Sequence, residues 1–136
     1  MRRINEIIIH CTATPEGRDV SVADIDRCHR ELGFIEIGYH FVVMADGRIE
    51  SGRNIEAAGA HCLGHNPNSV GVAYVGGLAR DCKTPKDTRT EAQKKALREL
   101  VAKLRVQFPG ATVHGHNEFA KKACPCFDVR KEFADE

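Results

Sequence analysis

The stretch E-I-I-I-H-C, Glu6 to Cys11, decides how the rest of the chain is read. Three consecutive isoleucines do not alternate between core and solvent, so the run reads as a buried strand. His10 stands at its end, where a side chain can project from the sheet edge.

Downstream, Pro15 to Asp19 is a loop, and Ser21 caps a helix in which Asp24 completes a capping box. Ile25, Cys28, His29 and Leu32 fall on one face of that helix, and Gly33 ends it. Gly38 to Met44 predicts a strand that Ala45-Asp46-Gly47 turns into a second, Arg48 to Ser51, making a hairpin. Alternation puts Tyr39, Phe41 and Val43 on one face, and His40, Val42 and Met44 on the other. Residues 54–68 are polar and Gly-rich, a loop with one short turn of helix; Ser69 to Val75 is a core strand ended by Gly76-Gly77. Thr90 and Gln93 open the strongest helix, with Ala96, Leu97, Leu100, Val101 and Leu104 as its buried stripe and Pro109-Gly110 as its stop. Ala111 to Val113 predicts a short strand, and Phe127 to Phe133 a final short helix. Strands and helices interleave without a strict βαβ rhythm. The expected class is therefore α/β, α+β-like: one domain over residues 1–136 with a central mixed β-sheet flanked by helices.

The bulk numbers narrow the function. A chain of 136 residues is the size of one domain and buries about 65–70% of its unfolded surface. With a net charge of +1, no nucleic-acid partner or charge-held lipid surface is expected. No apolar run approaches the ~20 residues of a membrane span, and the start M-R-R-I-N-E reads as strand, not secretion signal. Synthesis in the cytoplasm is the expectation, and the six cysteines are then expected as free thiols, most of them small buried hydrophobes.

Near the C-terminus, V-H-G-H-N-E-F-A-K-K-A-C-P-C (113–126) crowds two histidines, two lysines and two cysteines together. A catalytic zinc takes three protein ligands and keeps a position for water. His116 and Cys124, eight residues apart, could converge on one ion, with His10 as a third ligand. The spacing matches no compact zinc finger, and a histidine at a strand end is commonly just hydrogen-bonded. A redox pair at Cys124-Pro125-Cys126 fits less well, since such motifs favour two intervening residues. On spacing alone, the metal and packing readings both stand.

Six blocks in order carry more weight: I-I-I-H-C-T-A-T (7–14), G-Y-H-F-V-V (38–43), D-G-R-I-E-S-G-R (46–53), A-H-C-L-G-H-N (60–66), N-S-V-G-V (68–72) and H-N-E-F-A-K-K-A-C-P (116–125). Together they resemble the zinc-dependent N-acetylmuramoyl-L-alanine amidases of the phage-lysozyme type, which share a fold with the peptidoglycan recognition proteins. The resemblance implies one zinc ion per chain on His10, His116 and Cys124, with His114 the nearby decoy. It implies Tyr39 and Lys122 as catalytic residues, with Lys121 read as solvated surface. It implies His61, and less strongly Asn66, as contacts to a muramyl-peptide. The reaction implied is hydrolysis of the amide between N-acetylmuramic acid and L-alanine in peptidoglycan. The metal would acidify a water, Lys122 would stabilise the developing oxyanion, and Tyr39 would position the water or relay a proton.

Plainer roles exist for several of these side chains. Tyr39 could cap the sheet, and His40 and His29 read as satisfied core histidines. Cys126 reads as a bystander, and Cys11 should point away from the metal. A module that binds peptidoglycan without cutting it is the alternative function; the ligand cysteine argues for the enzyme. A monomer is expected, a phage or prophage lysis enzyme that reaches the wall after release or delivery.

Overall fold

The computed structural model describes residues 2–134. In chain order its elements are β1 (Glu6–Cys11), β2 (Thr14–Pro15), α1 (Val22–Glu31), β3 (Phe41–Val43), β4 (Ile49–Ser51), β5 (Ser69–Tyr74), β6 (Gly77–Leu78), α2 (Glu91–Gln107), β7 (Thr112–Gly115) and α3 (Val129–Glu132). Five strands form one sheet in the order β4-β3-β5-β1-β7, parallel except for the β3–β4 hairpin; β2 and β6 make a separate two-stranded ladder. The expected mixed sheet flanked by helices is what forms.

The isoleucine run behaves as read: Ile7, Ile8 and Ile9 are fully buried, in a strand hydrogen-bonded on both sides. Ile7 and Ile9 join Val70, Val72 and Tyr74 on one face, covered by the α2 stripe Ala96, Leu97, Leu100, Val101 and Leu104 and by Val129 and Phe133 of the C-terminal segment. Burying each such side chain contributes about 1.5–3 kcal/mol, so this face carries most of the apolar stabilisation. Both capping boxes form, Ser21 with Asp24 and Thr90 with Gln93.

The other face is only half covered. Ile25 of α1 packs with Ile37, Val42, Met44 and Val75 in a smaller cluster. Here the expected α1 stripe is corrected. Of its four residues only Ile25 is buried; Cys28 and Leu32 are exposed and His29 is half-buried. The helix covers one corner of the sheet and leaves its second flank open over a groove.

A second correction concerns Tyr39. The ladder proper starts at Phe41, and Gly38 to His40 run outside it. Alternation therefore fails there: Tyr39 packs with the Val42 and Met44 cluster instead of sharing the Phe41–Val43 side. Tyr39 and His40 both reach the half-covered face. Smaller differences lie at element ends: the 111–113 strand is Thr112–Gly115, and the last helix is the single turn Val129–Glu132 capped by Asp128.

Candidate active site

The half-covered face is where the sheet's carboxyl ends open, the usual location of sites in open α/β sheets. His10 is the next-to-last residue of β1, and His116 follows immediately after β7. The β1–β7 ladder is parallel and pairs Ile9 with Gly115, so one further step sets His10 beside His116. Their ring centroids are 4.6 Å apart. Cys124 returns to the same spot from the C-terminal segment, whose position is set by Tyr74 Oη donating to Pro125 O at 2.7 Å. The ligand-capable atoms of His10, His116 and Cys124 all lie within 4.8 Å of one another. The family resemblance implied this trio, which spacing alone left open; parallel register and a returning loop bring it together.

The electrostatics suit a metal. Burial, then the neighbouring His61, His116 and Lys122, hold the His10 pKa well below the ordinary imidazole value, so the ring is neutral. His116 is lowered too, by burial and then by Lys122. The Cys124 pKa falls below the ordinary thiol value, chiefly through the Cys11 thiol and also through the Cys11 backbone N–H, which donates to Cys124 Sγ at 3.1 Å. Two lone-pair imidazoles and a thiolate-prone sulfur are the donor states that a soft divalent cation requires.

Tyr39 lies beside the trio, its ring centroid 5.2 Å from that of His10 and its hydroxyl 3.5 Å from Cys11 O. Burial, then Cys124 and Cys11, push its phenol above the ordinary value, so it stays an O–H donor. Lys122 is exposed and lines the cavity of about 270 Å3 that Tyr39 and the three ligand candidates also line. A second cavity of about 560 Å3 adjoins it through His61, His116 and Lys122, with Phe34, Leu63 and Phe119 among its walls. The two form one groove above the trio.

The remaining candidates separate clearly. His61 and Asn66 line the groove; Asn66 Oδ1 accepts the N–H groups of His61 and Cys62 at 2.9 and 3.0 Å, shaping the loop. His40 is a satisfied core histidine, Nδ1 accepting from Gly71 N–H at 3.0 Å and Nε2 donating to Ala57 O at 2.8 Å. His29 accepts from Gly38 N–H at 2.9 Å and lines the groove margin, so its role is less interior than expected. The decoy His114 spends its ring on Thr112 and Glu118, at 2.7 and 2.9 Å. Cys126 stands outside the trio, its thiol donating to Gly77 O at 3.4 Å and its pKa pushed up to about 11 by burial and then by Cys11.

Two supports escaped sequence reasoning. The buried Arg53 guanidinium donates to the carbonyls of Ile37, Ala58 and Glu36, tying together the loops behind the groove. Arg89, which stacks 3.4 Å over Phe127 and bridges Asp87 to Glu132, clamps the segment that carries Cys124. Nothing in the local pattern distinguishes such arginines from surface ones.

A family profile described as N-acetylmuramoyl-L-alanine amidase matches residues 1–127. The chain is 44% identical over 128 residues to an endolysin of Klebsiella phage KP32, covering 93% of this chain and 83% of that one. It is 42% identical over 126 residues to an endolysin of Escherichia phage T7, covering 92% and 82%. Among solved structures it superposes on the N-acetylmuramoyl-L-alanine amidase LysC from Clostridium intestinale URNW with a TM-score of 0.81 and 26% identity, covering 97% of this chain and 83% of that one.

Proposed function

The chain belongs to the N-acetylmuramoyl-L-alanine amidase family and hydrolyses the amide between N-acetylmuramic acid and L-alanine in peptidoglycan, and we propose that it does so with one zinc ion held by His10, His116 and Cys124. The observation that carries the metal reading is the convergence of the His10 and His116 imidazoles and the Cys124 thiol within 4.8 Å, at the floor of a groove. Donors around a tetrahedral zinc stand about 3.5 Å apart, so modest side-chain rotations close the set. Held by these three donors, an ion would keep a coordination position for water. When bound, the ion supplies Lewis acidity toward the scissile carbonyl and an acidified water.

The chain's own residues do the rest. The groove walls seat the muramyl-peptide, with His61 and Asn66 on the wall beside the trio. Lys122 presents its ammonium from the rim, where the carbonyl oxygen gains negative charge; one good donor to an oxyanion is worth about 3–4 kcal/mol. Tyr39, kept protonated, donates its hydroxyl to the attacking water or to the departing amine, and the Cys11 thiol and then its backbone N–H lower the Cys124 pKa, favouring the sulfur as a ligand. The protein works as a monomer, one amidase domain over residues 1–136, in the lysis role of the phage endolysins it is similar to. Among the described residues, no helix is long and apolar enough to cross a membrane.

The test is direct. Purified protein incubated with muropeptides should release stem peptide from glycan, seen by mass spectrometry; chelation should stop release and zinc restore it. Cys124→Ser should lose both turnover and tight zinc binding. Full activity in the chelated protein, or in that variant, would remove the metal from the reaction.

A further inference from the structure

His61 lies in the groove wall, yet neither of its ring nitrogens is free to meet a substrate. Nδ1 is 2.8 Å from Nε2 of His10, and Nε2 is 3.2 Å from the buried hydroxyl of Ser69. The residue is only 8% exposed. Its backbone is pinned as well, by Asn66 Oδ1. We propose that His61 is a positioning residue: it accepts the proton-bearing Nε2–H of His10 and so fixes the ring plane and tautomer in which His10 offers its other nitrogen to the metal. This rests on the zinc reading above.

The direction of the chain of hydrogen bonds follows from elimination. Only one proton can lie between His10 Nε2 and His61 Nδ1. If His61 donated it, a neutral His10 would carry its own proton on Nδ1 and have no lone pair left for an ion. If His10 donates it, Nδ1 is bare, His61 carries its proton on Nε2, and Ser69 Oγ accepts that proton. Only the second arrangement agrees with His10 as a ligand. An outer partner that holds a ligand imidazole in this way is a general requirement of metal sites, and its loss commonly costs 10–100-fold in metal affinity.

The fold makes room for this ring at two points. A Cβ on Gly71 would lie 2.6 Å from His61 Cγ and Cδ2, and one on Gly59 would lie 2.6 Å from Cδ2. Gly71 sits in the middle of β5, a position where glycine weakens a strand. The close approach of His61 explains why a larger residue is absent there. The sequence reading of His61 as a substrate contact lacked this information, because His10 is 51 residues away.

The experiment compares wild type, His61→Leu and His61→Asn. Leucine keeps the bulk and removes the acceptor, whereas asparagine places its Oδ1 near the position of the lost Nδ1. Zinc affinity is measured by competition with a chromophoric chelator, beside KM and kcat on a muropeptide and the unfolding midpoint of each metal-free protein. His61→Leu should weaken zinc binding 10–100-fold with KM little changed, and His61→Asn should stay within about threefold of wild type. In zinc-loaded wild type, histidine NMR should show His10 protonated on Nε2. Zinc affinity unchanged in His61→Leu with a raised KM would overturn the proposal and make His61 a substrate contact. Equal zinc loss in both variants would overturn it in favour of ring packing. Wild type that binds no zinc would instead overturn the metal reading on which it stands, a result separate from the other two.

Discussion

Replacing Arg89 by methionine should destabilise the protein by about 3 kcal/mol without changing its chemistry at the trio. The Arg89 side chain is 2% exposed and donates to both oxygens of Glu132, at 2.6 and 2.8 Å, and to both of Asp87, at 3.0 Å each. Breaking a fully buried pair by removing one partner costs about 3–5 kcal/mol, because a charge is left stranded. Here the two carboxylates remain 31% and 33% exposed, so water re-solvates them in part and the cost falls toward about 2 kcal/mol. Loss of the cation stacked over Phe127 adds about 1 kcal/mol, while methionine keeps some contact with the ring. With a urea m-value of about 1.5–2 kcal/mol/M, the midpoint should drop by about 1.5–2 M at constant slope. Glu132→Gln added to Arg89→Met should recover about 1 kcal/mol, since it removes one unpaired charge. A midpoint within 0.5 M of wild type, taken as roughly 1 kcal/mol on the same slope, or a further loss on adding Glu132→Gln, would refute the account of Arg89 as a clamp.

Lys122→Ala should lower kcat by about 10²–10³-fold with zinc affinity retained, as expected for one oxyanion donor; stopped muropeptide assays beside chelator competition check both halves. In the metal-free protein, acidification should destabilise the fold. Burial, then His40 and His116, depress the His61 pKa to about 3, and His40 is depressed by burial in the same direction. The unfolded chain therefore takes up these protons from about pH 6.5 downward while the folded chain does not. The stability they contribute is complete above that value and is lost as pH falls below it, about 2 kcal/mol from His61 alone by pH 5. Urea midpoints of chelated protein at pH 7.5 and pH 5 measure it, and an equal or higher midpoint at pH 5 would contradict it. Thr90→Ala should cost about 1–2 kcal/mol, since the hydroxyl both caps α2 through Gln93 N–H at 3.0 Å and donates to Ala45 O at 2.7 Å; thermal unfolding reads the loss.

What was legible in the sequence follows the range of the interaction that decides it. The isoleucine run, both capping boxes and the β3–β4 turn are settled by residues within four positions of each other, and each formed as read. Periodicity predicted a contact face on α1, but it does not say how much sheet lies beneath that helix, and Cys28 and Leu32 ended in solvent. Alternation predicted the side of Tyr39 on the premise of a regular strand, a premise that Gly38 to His40 break. The two-residue ladder of Thr14–Pro15 with Gly77–Leu78 has too few residues to leave any period at all. At the site, the trio was nominated through six motif blocks, and the structure brings those side chains into one group. The hydrogen-bonding partner of His10 and the arginine clamps were illegible, because each joins segments more than ten residues apart through a contact with no local signature.

The α2 face is closed by a dense apolar stripe, and its buried polar groups are spent on backbone: Gln93 donates to Val43 O and Val75 O, and Tyr74 to Pro125 O. On the opposite face α1 supplies one buried residue, so the sheet beneath the groove must satisfy its own polar groups. It does so by pairing buried histidines with one another and with backbone: His10 with His61, His61 with Ser69, and His40 with Gly71 and Ala57. A buried neutral imidazole with one nitrogen engaged has its second nitrogen fixed in direction, which is the condition for a well-aimed ligand. The poorly covered face is thus what gives a stabilising apolar scaffold a place to hold three donors toward solvent. Covering it more fully, by extending α1 with apolar residues over the groove, would raise stability and close the cavity that Cys124 lines.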